Sequence, residues 1–441
     1  MTGHILVDDQ ATLDFRAGVL ADPRFEEQHP ALRHFMAESR TFRDQPDELL
    51  GLQAEMAGAL ISMQQATREI EAEINKDTTP NSPHLRDAEK ALGVSKLVAR
   101  IIRCVADGIA WRTLRYDRAA IYLLSLKPQT GHLEHASVTQ ELTAAALSKG
   151  TSGRLAIIND LTNFLRYGDF TILDGDVVEI AEVKGGRGSR RSGRARRQVR
   201  ALTTVLDRLS TEEWKTEGGT ERIFRHNVKP RSHLYEVRDL VRQAREKGAT
   251  HRRLSDCIAV DLWYIPTLTQ VAEPEDAPKL LHNPFSQSKQ ASWYNRMEFF
   301  HEFSRNLAPY SIYPFGDDDC VDLMTGALQL TTYFNYGNLI RCLRRRGLLV
   351  RFPHDSEFRA HNELSHGEKS RRVDDVAIRV ARPGRPHQLL IELPLLARLI
   401  YELLDEESFA DAVEELVEES AADTEPTIYF PAFQEEAALW D

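Results

Sequence analysis

The chain has 441 residues, of which 42% are hydrophobic, so it is long and apolar enough for two or three domains with buried cores. Its 56 basic and 67 acidic residues give a formal net charge of −11, which excludes a nonspecific polycation. Any surface that binds nucleic acid must therefore be a local patch. The four cysteines form no CxxC pair, which argues against a zinc knuckle or a disulfide framework and favours a reducing compartment.

The sequence predicts no membrane segment. The N-terminus lacks the basic start and the apolar core of a signal peptide. The most apolar stretch, residues 389–404, is interrupted by Glu392, Pro394, Arg398 and Glu402, so it is not expected to cross a bilayer. We therefore expect a cytoplasmic protein without membrane contact.

Residues 1–138 are predicted to form a mainly helical region that acts as a cap or an interaction module. Apolar residues at helical spacing predict helices around residues 49–63 and 92–114. The segment between them contains the breaker-rich loop 77–83, and residues 120–126 have the composition of a strand.

Residues 139–270 are predicted to form the core of the protein. Residues 139–148 have a helical pattern, and residues 154–165 are predicted to form an amphipathic helix with Asn159, Asp160 and Asn163 on its polar side. A solvated face explains these three polar residues equally well.

A β-hairpin follows, because Asp174-Gly175 is a strong two-residue turn signal between two apolar strands. With these two residues at the centre of the turn, Thr171 pairs with Val178 and Asp169 pairs with Ile180. Side chains alternate along a strand, so Glu182 and Lys184 are expected on the same face as Asp169.

Two carboxylates and an amine on one face suit phosphodiester hydrolysis. Asp169 and Glu182 can hold one hard cation between them, and the cation can activate water and offset charge at phosphorus. Lys184, with an ordinary pKa of about 10.4, stays charged there and can orient the water or the phosphate oxygens. The alternative is an exposed strand with solvated Glu182 and Lys184, although the apolar strand makes that arrangement costly.

An Asp, a hairpin and then Glu-x-Lys in a strand resemble the PD-(D/E)XK nuclease superfamily, which has the restriction-endonuclease-like fold. The resemblance implies that Asp169 and Glu182 bind Mg²⁺ or Mn²⁺ and that Lys184 is the catalytic lysine. Gly168 stands where the family often has Pro. The resemblance also implies a further acid before the hairpin, for which Asp160 is the candidate.

A basic run follows the hairpin. It is predicted to neutralise phosphates and guide nucleic acid to the site, with a disordered basic loop as the alternative. Its candidate phosphate ligands are Arg187, Arg190, Arg191, Arg194 and Arg197. In a branch of the superfamily, a Gln on the next helix supports the site within Gln-x-x-x-Tyr; Gln198 is the candidate here, with Leu202 in place of the Tyr.

The segments after the basic run complete an α/β pattern. Residues 211–220 are predicted to be a loop, 222–225 a strand, 234–247 a helix and 256–265 a buried strand. Helix, hairpin, helix and strand together predict a sandwich around a mixed sheet, which is the restriction-endonuclease-like core that the resemblance implies.

Residues 271–441 are predicted to form a C-terminal α+β region. Asp317, Asp318 and Asp319 are expected in a solvated turn, and the arginines within residues 340–350 are a second possible phosphate patch. The acidic helical tail, residues 399–425, suits a solvent face or a contact with a protein partner.

The sequence as a whole predicts a metal-dependent nuclease that acts on DNA rather than RNA. Bacterial proteins of this build commonly act in restriction or phage defence. A noncatalytic nucleic-acid-binding or adaptor protein on a nuclease-derived scaffold, and an RNA nuclease, remain alternatives, and a homodimer or a protein partner is compatible with the flanking regions.

Overall fold

The structure of the chain is a computed structural model. The structure describes residues 18–42, 48–76, 82–125, 135–149, 154–165, 167–174, 177–181, 203–205, 207–216, 219–271, 292–296, 307–351, 378–384, 388–391, 393–423 and 427–440. Within these residues the protein is a mixed α/β structure whose strands form several small sheets.

The first part of the chain is helical, as predicted. Its helices are α1 (Pro23–Glu26), α2 (His29–Thr41), α3 (Leu49–Ile74), α4 (Pro83–Thr113), α5 (Arg118–Ser125) and α6 (His135–Lys149). Helix α4 begins where its sequence favours a start, since Pro83 is its first residue and the Ser82 hydroxyl accepts a 3.0 Å hydrogen bond from the Leu85 N–H.

The strand predicted over residues 120–126 is wrong, because this segment is α5. The Asp117 carboxylate accepts hydrogen bonds from the N–H groups of Ala119 and Ala120 and so caps the start of a helix. Most of α5 is buried, and a short apolar run that is buried all round has no period to separate a helix from a strand.

Three consecutive antiparallel strands follow α6. They are β1 (Leu155–Ile158), β2 (Phe170–Asp174) and β3 (Val177–Ala181), in the order β1-β2-β3. The helix predicted over residues 154–165 is therefore wrong, since β1 and a 3₁₀ turn over Asn159–Leu161 occupy that segment. Ala156, Ile157 and Ile158 are all buried, so both faces of β1 are covered.

Helices α3 and α6 cover one face of this three-stranded sheet. Ala145 of α6 lies in one apolar cluster with Ala156, Phe170 and Ile172, and Leu50 of α3 packs against the same cluster. Gln53 of α3 completes the free edge of β1: its amide donates to the Ala156 carbonyl at 2.8 Å and accepts from the Ile158 N–H at 2.7 Å. A side-chain amide thus makes the hydrogen bonds that a neighbouring strand would make.

The remaining elements include both helices and strands. They are β4 (Glu213–Thr216), β5 (Gly219–His226), α7 (Leu234–Lys247), β6 (Ala249–Arg253), β7 (Ile258–Tyr264), α8 (Ile265–Val271), β8 (Ser292–Arg296), α9 (Asp317–Thr325), β9 (Leu328–Asn335), α10 (Tyr336–Arg345), β10 (Leu349–Arg351), β11 (Ile378–Ala381), β12 (Gln388–Ile391), α11 (Leu393–Tyr401), α12 (Glu406–Glu419) and β13 (Thr427–Phe433).

The strands predicted within residues 222–225 and 256–265, and the helix over 234–247, are confirmed, whereas β4 occupies part of the predicted loop 211–220. The buried strand β7 is in the sheet β6-β7-β9-β8 and not in the sheet of the hairpin. Parallel and antiparallel pairing combine in the sheet β13-β5-β4, where β13 runs parallel to β5.

One large apolar core reaches from Val19 to Trp440 and includes α4, β7 and α12. A network of four buried charged side chains lies beside it. The Arg118 guanidinium contacts Glu402 at 2.7 Å and Glu436 at 3.0 Å, and Arg398 contacts the same two carboxylates at 2.8 and 2.5 Å. This network joins α5 to the C-terminal elements. None of the described helices is long and apolar enough to cross a membrane.

Candidate functional site: a carboxylate cluster beside the three-stranded sheet

Only two of the predicted catalytic residues lie within the described part of the chain, Asp160 and Asp169. The others fall outside the described residues: Glu182, Lys184, Gln198, Arg187, Arg190, Arg191, Arg194 and Arg197. The geometry of the site is therefore that of the residues around β1, β2 and the end of β3.

The hairpin is present, with a register that differs from the predicted one by two residues. Leu173 pairs with Val178 and Thr171 pairs with Ile180, so Asp174 remains in the strand and pairs with Val177. Arg154 holds Asp174 there, with Nε at 2.8 Å and Nη2 at 2.6 Å from its Oδ2 atom. A displacement of two residues keeps the side chains of the described strand residues on their predicted faces.

Gly168 is required by the backbone at the entrance to β2. Its φ of +72° is a conformation that proline cannot adopt, since the proline ring fixes φ near about −65°. A Cβ at this position would lie 2.5 Å from Cγ2 of Ile180 and 2.7 Å from the carbonyl oxygen of Ala181. This close crossing explains why glycine stands where the resembled family often has proline.

Asn159 fixes the segment that carries Asp169. Its buried side chain donates to the Tyr167 carbonyl at 2.6 Å and accepts from the Thr171 hydroxyl at 2.8 Å. Its backbone N–H donates to the Asp169 carbonyl at 2.9 Å. Asn159 is thus a positioning residue, and its polar character serves the fold of the turn rather than solvent.

Asp169 is half-buried at the end of β3. Its N–H donates a 2.8 Å hydrogen bond to the carbonyl oxygen of Ala181. Glu182 follows Ala181 in the sequence, so one hydrogen bond and one peptide bond connect the backbones of the two candidate metal ligands.

Asp160 lies in the 3₁₀ turn after β1 and not on a helix, which corrects the predicted location. The Arg103 guanidinium of α4 donates to the Asp160 carbonyl oxygen at 2.6 Å. Burial lowers the pKa of Arg103, while the nearby carboxylates of Asp107 and Asp160 oppose that effect. Asn163, the third polar residue of this segment, donates from its backbone and side chain to Asp107 at 2.6 and 2.8 Å.

Glu141 of α6 is a site residue that the sequence analysis missed. It is 5% exposed, and its Oε2 atom is buried without a hydrogen-bond partner. It precedes Ala145 by one helical turn, and Ala145 packs on the sheet. That spacing was the available signal, since an acid in register with the apolar side of a helix points toward the core.

The pKa of Glu141 is shifted by burial and by two other acids. Burial first, and then the nearby carboxylates of Asp160 and Asp169, raise the pKa of its carboxyl to about 7. The oxygens of these three acids are not all within 4.8 Å of one another, since among the described residues only His233, Asp405 and Glu406 meet that distance. In this arrangement the oxygens of the three acids do not meet at one point.

The prediction of a second phosphate patch within residues 340–350 is wrong for Arg346. Its guanidinium contacts Glu407 at 2.6 Å and also contacts Asp411, so α12 neutralises it. Arg344 donates to the Val350 carbonyl at 2.8 Å. The acidic face of α12 therefore contacts other parts of the same chain.

The acidic triplet at residues 317–319 is the first turn of α9, where negative side chains stabilise a helix, and not a solvated loop. Each acid contacts an arginine: Asp317 with Arg40 at 3.1 Å, Asp318 with Arg33 at 3.1 Å and Asp319 with Arg245 at 2.7 Å.

The cluster of Glu141, Asp160 and Asp169 has two chemical uses. Carboxylate oxygens are ligands that Mg²⁺ and Mn²⁺ prefer, and a carboxyl with a pKa near 7 can also donate or accept a proton at neutral pH. The chain matches no protein-family model, no curated protein and no solved structure, so this chemistry is inferred from its residues alone.

Proposed function

We propose that the protein is a metal-dependent nuclease of the PD-(D/E)XK type that hydrolyses phosphodiester bonds in DNA. Asp169 and Glu182 would hold Mg²⁺ or Mn²⁺, and Lys184 would be the catalytic lysine. Glu141 and Asp160 would complete the acidic pocket.

The order of the elements supports the proposal. Helix α6 is followed directly by the three antiparallel strands β1, β2 and β3, with the Asp at the start of β2 and Glu-x-Lys directly after β3. The sequence indicated only two of the three strands that the superfamily has in this meander, and the additional antiparallel strand β1 supports the resemblance.

The observation that carries the proposal is the buried carboxyl of Glu141 beside two further acids. Burying like charges together is unfavourable unless a cation or a proton offsets them. The two charged groups that shift the pKa of Glu141 are both carboxylates. A divalent ion would relieve this repulsion, and carboxylate oxygens are donors that suit a hard cation.

The chain's own residues have distinct tasks in the proposed reaction. The metal ion, when bound, supplies charge neutralisation at phosphorus and lowers the pKa of a bound water. Lys184 would orient the attacking water or the transition-state oxygens. Asn159 and Gly168 hold the backbone of Asp169 against the end of β3, and this support would keep the Asp169 carboxylate in place for the metal ion.

The basic run after Lys184 would bind the backbone of the substrate. The segment from Arg187 to Arg197 contains no acidic residue. It is therefore the densest positive segment in the sequence of an acidic protein. Phosphate contacts of this kind position a duplex without reading its bases. We therefore propose DNA as the substrate, bound with a strong dependence on salt.

The test is cleavage of plasmid DNA with Mg²⁺ by wild type, Lys184→Ala and the control Lys247→Ala, an exposed lysine at the end of α7. We expect wild type and the control to cut equally and Lys184→Ala to lose at least about 100-fold in rate, the scale of removing one transition-state contact. Cleavage that survives Lys184→Ala would refute the role of the lysine.

Two further arms separate the proposal from its rivals. An adaptor on a nuclease-derived scaffold cuts nothing and needs no metal, so its thermal unfolding would not respond to Mg²⁺. For the nuclease, Mg²⁺ is expected to raise Tm in wild type and to have little effect in Asp169→Asn. Cleavage of single-stranded RNA in preference to duplex DNA would reassign the substrate.

A further inference from the structure

A second group of ligand-type side chains lies away from the carboxylate cluster, where the segment before α7 meets the segment before α12. The N–H of His233 donates to the Leu403 carbonyl at 2.9 Å, and the N–H of Asp405 donates to the Arg231 carbonyl at 2.9 Å. These hydrogen bonds bring the imidazole of His233 against the carboxylates of Asp405 and Glu406.

The three side chains converge on one point. Nε2 of His233 lies 3.8 Å from Oδ2 of Asp405 and 3.8 Å from Oε2 of Glu406, and all three atoms lie within 4.8 Å of one another. The two distances of 3.8 Å from Nε2 of His233 are too long for hydrogen bonds. A tetrahedral ion with bonds of about 2.0–2.1 Å would place its ligand atoms roughly 3.3 Å apart, which requires a contraction of about 0.5 Å.

Two of these atoms have no other partner. Nε2 of His233 and Oε2 of Glu406 are buried without a hydrogen bond, and both side chains are 10% exposed. Leaving a buried polar atom unpaired is unfavourable. A cation between them would satisfy both atoms and Oδ2 of Asp405 together.

The surrounding groups prepare the imidazole for this role. Nδ1 of His233 lies 2.7 Å from Oε1 of Glu236, and an N–H donated there leaves the lone pair of Nε2 for a metal. The other oxygen of Asp405 accepts from the backbone N–H groups of Glu407 and Ser408, at 3.1 and 2.9 Å, which fixes the direction of Oδ2.

The charge balance favours a divalent ion. Glu236, Asp405 and Glu406 place three carboxylates around the imidazole of His233, and Arg231, 3.2 Å from Asp405, offsets one of them. We infer that His233, Asp405 and Glu406 bind a divalent transition-metal ion, for which Zn²⁺ is the best fit, and that this ion fastens the segment before α7 to the segment before α12. One imidazole and two carboxylates suit Zn²⁺ better than Mg²⁺, because imidazole is a poor ligand for Mg²⁺.

The inference is independent of the proposed nuclease site, which uses other residues. The test therefore uses full-length Asp169→Asn protein, in which the hairpin site is weakened, dialysed against a chelator and titrated with Zn²⁺ by calorimetry. We expect one equivalent to bind and to raise Tm. His233→Gln should abolish that binding, and Glu236→Gln should weaken it by about 10–100-fold, the usual effect of losing an outer carboxylate.

The matched control is His251→Gln, which removes an exposed imidazole that also lies near a carboxylate, 3.3 Å from Asp261. It should leave the affinity unchanged. If His233→Gln fails to fold, Co²⁺ added to the unsubstituted ligand set replaces the comparison, since an ion held by nitrogen and oxygen gives visible d–d absorption without a thiolate charge-transfer band. Absence of that absorption, or zinc binding that persists in His233→Gln, would overturn the site and leave an imidazolium or a bridging water between the two acids.

Discussion

Replacing Glu141 by glutamine should stabilise the protein at alkaline pH and have little effect at acid pH. The carboxyl has a pKa of about 7 in the folded protein and an ordinary value of 4.5, so folding favours its protonated form. A group whose pKa is raised by folding contributes its full stabilisation at pH values below its pKa in the unfolded state. This contribution to the free energy of unfolding is lost as pH rises through its pKa in the folded state. The loss therefore falls between about pH 4.5 and pH 7.

The magnitude follows from the difference between the two pKa values. Since 7 − 4.5 = 2.5, and each pKa unit is about 1.36 kcal/mol, ionised Glu141 costs up to about 3 kcal/mol of unfolding free energy. The side chain is almost fully buried, so solvent screening removes little of this. Glutamine keeps the shape of the neutral carboxyl and carries no charge. Above pH 8, the unfolding free energy of Glu141→Gln should therefore exceed that of wild type by up to about 3 kcal/mol.

The assay is urea unfolding of both proteins at several pH values from 5 to 8.5, without divalent ions. Glu89→Gln, on the exposed side of α4, is the control for a general effect of removing one negative charge. A difference between Glu141→Gln and wild type that stays constant over this range would refute the buried, acid-flanked environment of Glu141. Saturating Mg²⁺ should shrink the difference if the carboxylate cluster holds the ion.

Three further substitutions test the support of the site and the core. Gly168→Ala places a Cβ 2.5 Å from Ile180 at a φ of +72°, so it should lower the urea unfolding free energy by about 1–3 kcal/mol; an unchanged midpoint would contradict the close crossing. Glu402→Gln leaves two buried guanidinium groups short of charge and should cost about 3–5 kcal/mol in the same assay, where a neutral effect would contradict the network. Gln53→Leu removes both partners from the edge of β1 and should cost about 2–4 kcal/mol, against almost none for the exposed Gln65→Leu.

Elements with a strong local signal were predictable. Helix α7 begins and ends at the residues that its amphipathic pattern indicates, because Gly248 has a φ of +84° and terminates it. Strand β7 was predicted from a continuous apolar run, which its burial on both faces explains.

The segment 154–165 shows why other elements were not predictable. Leu155, Ile158, Leu161 and Leu165 have the spacing of a helix, yet the chain pairs with β2 and with the amide of Gln53, more than 100 residues away. Both patterns bury the same apolar side chains, so only the distant partners decide between them. The same limit applies to Arg346, whose acidic partners lie on α12.

The supports of the carboxylate cluster come from outside the segment that the family resemblance covers. Gln53 of α3 completes the edge of β1, Arg103 of α4 holds the carbonyl of Asp160, and Asp107 of α4 binds Asn163 in the same turn. These contacts are made by buried or half-buried groups, so removing the N-terminal helices would leave several polar atoms of the turn unpaired. The turn fixes Asn159, and Asn159 fixes the backbone of Asp169. The N-terminal helices are therefore structural supports of the candidate site, and a fragment limited to residues 139–270 should lose the geometry on which the proposed chemistry depends.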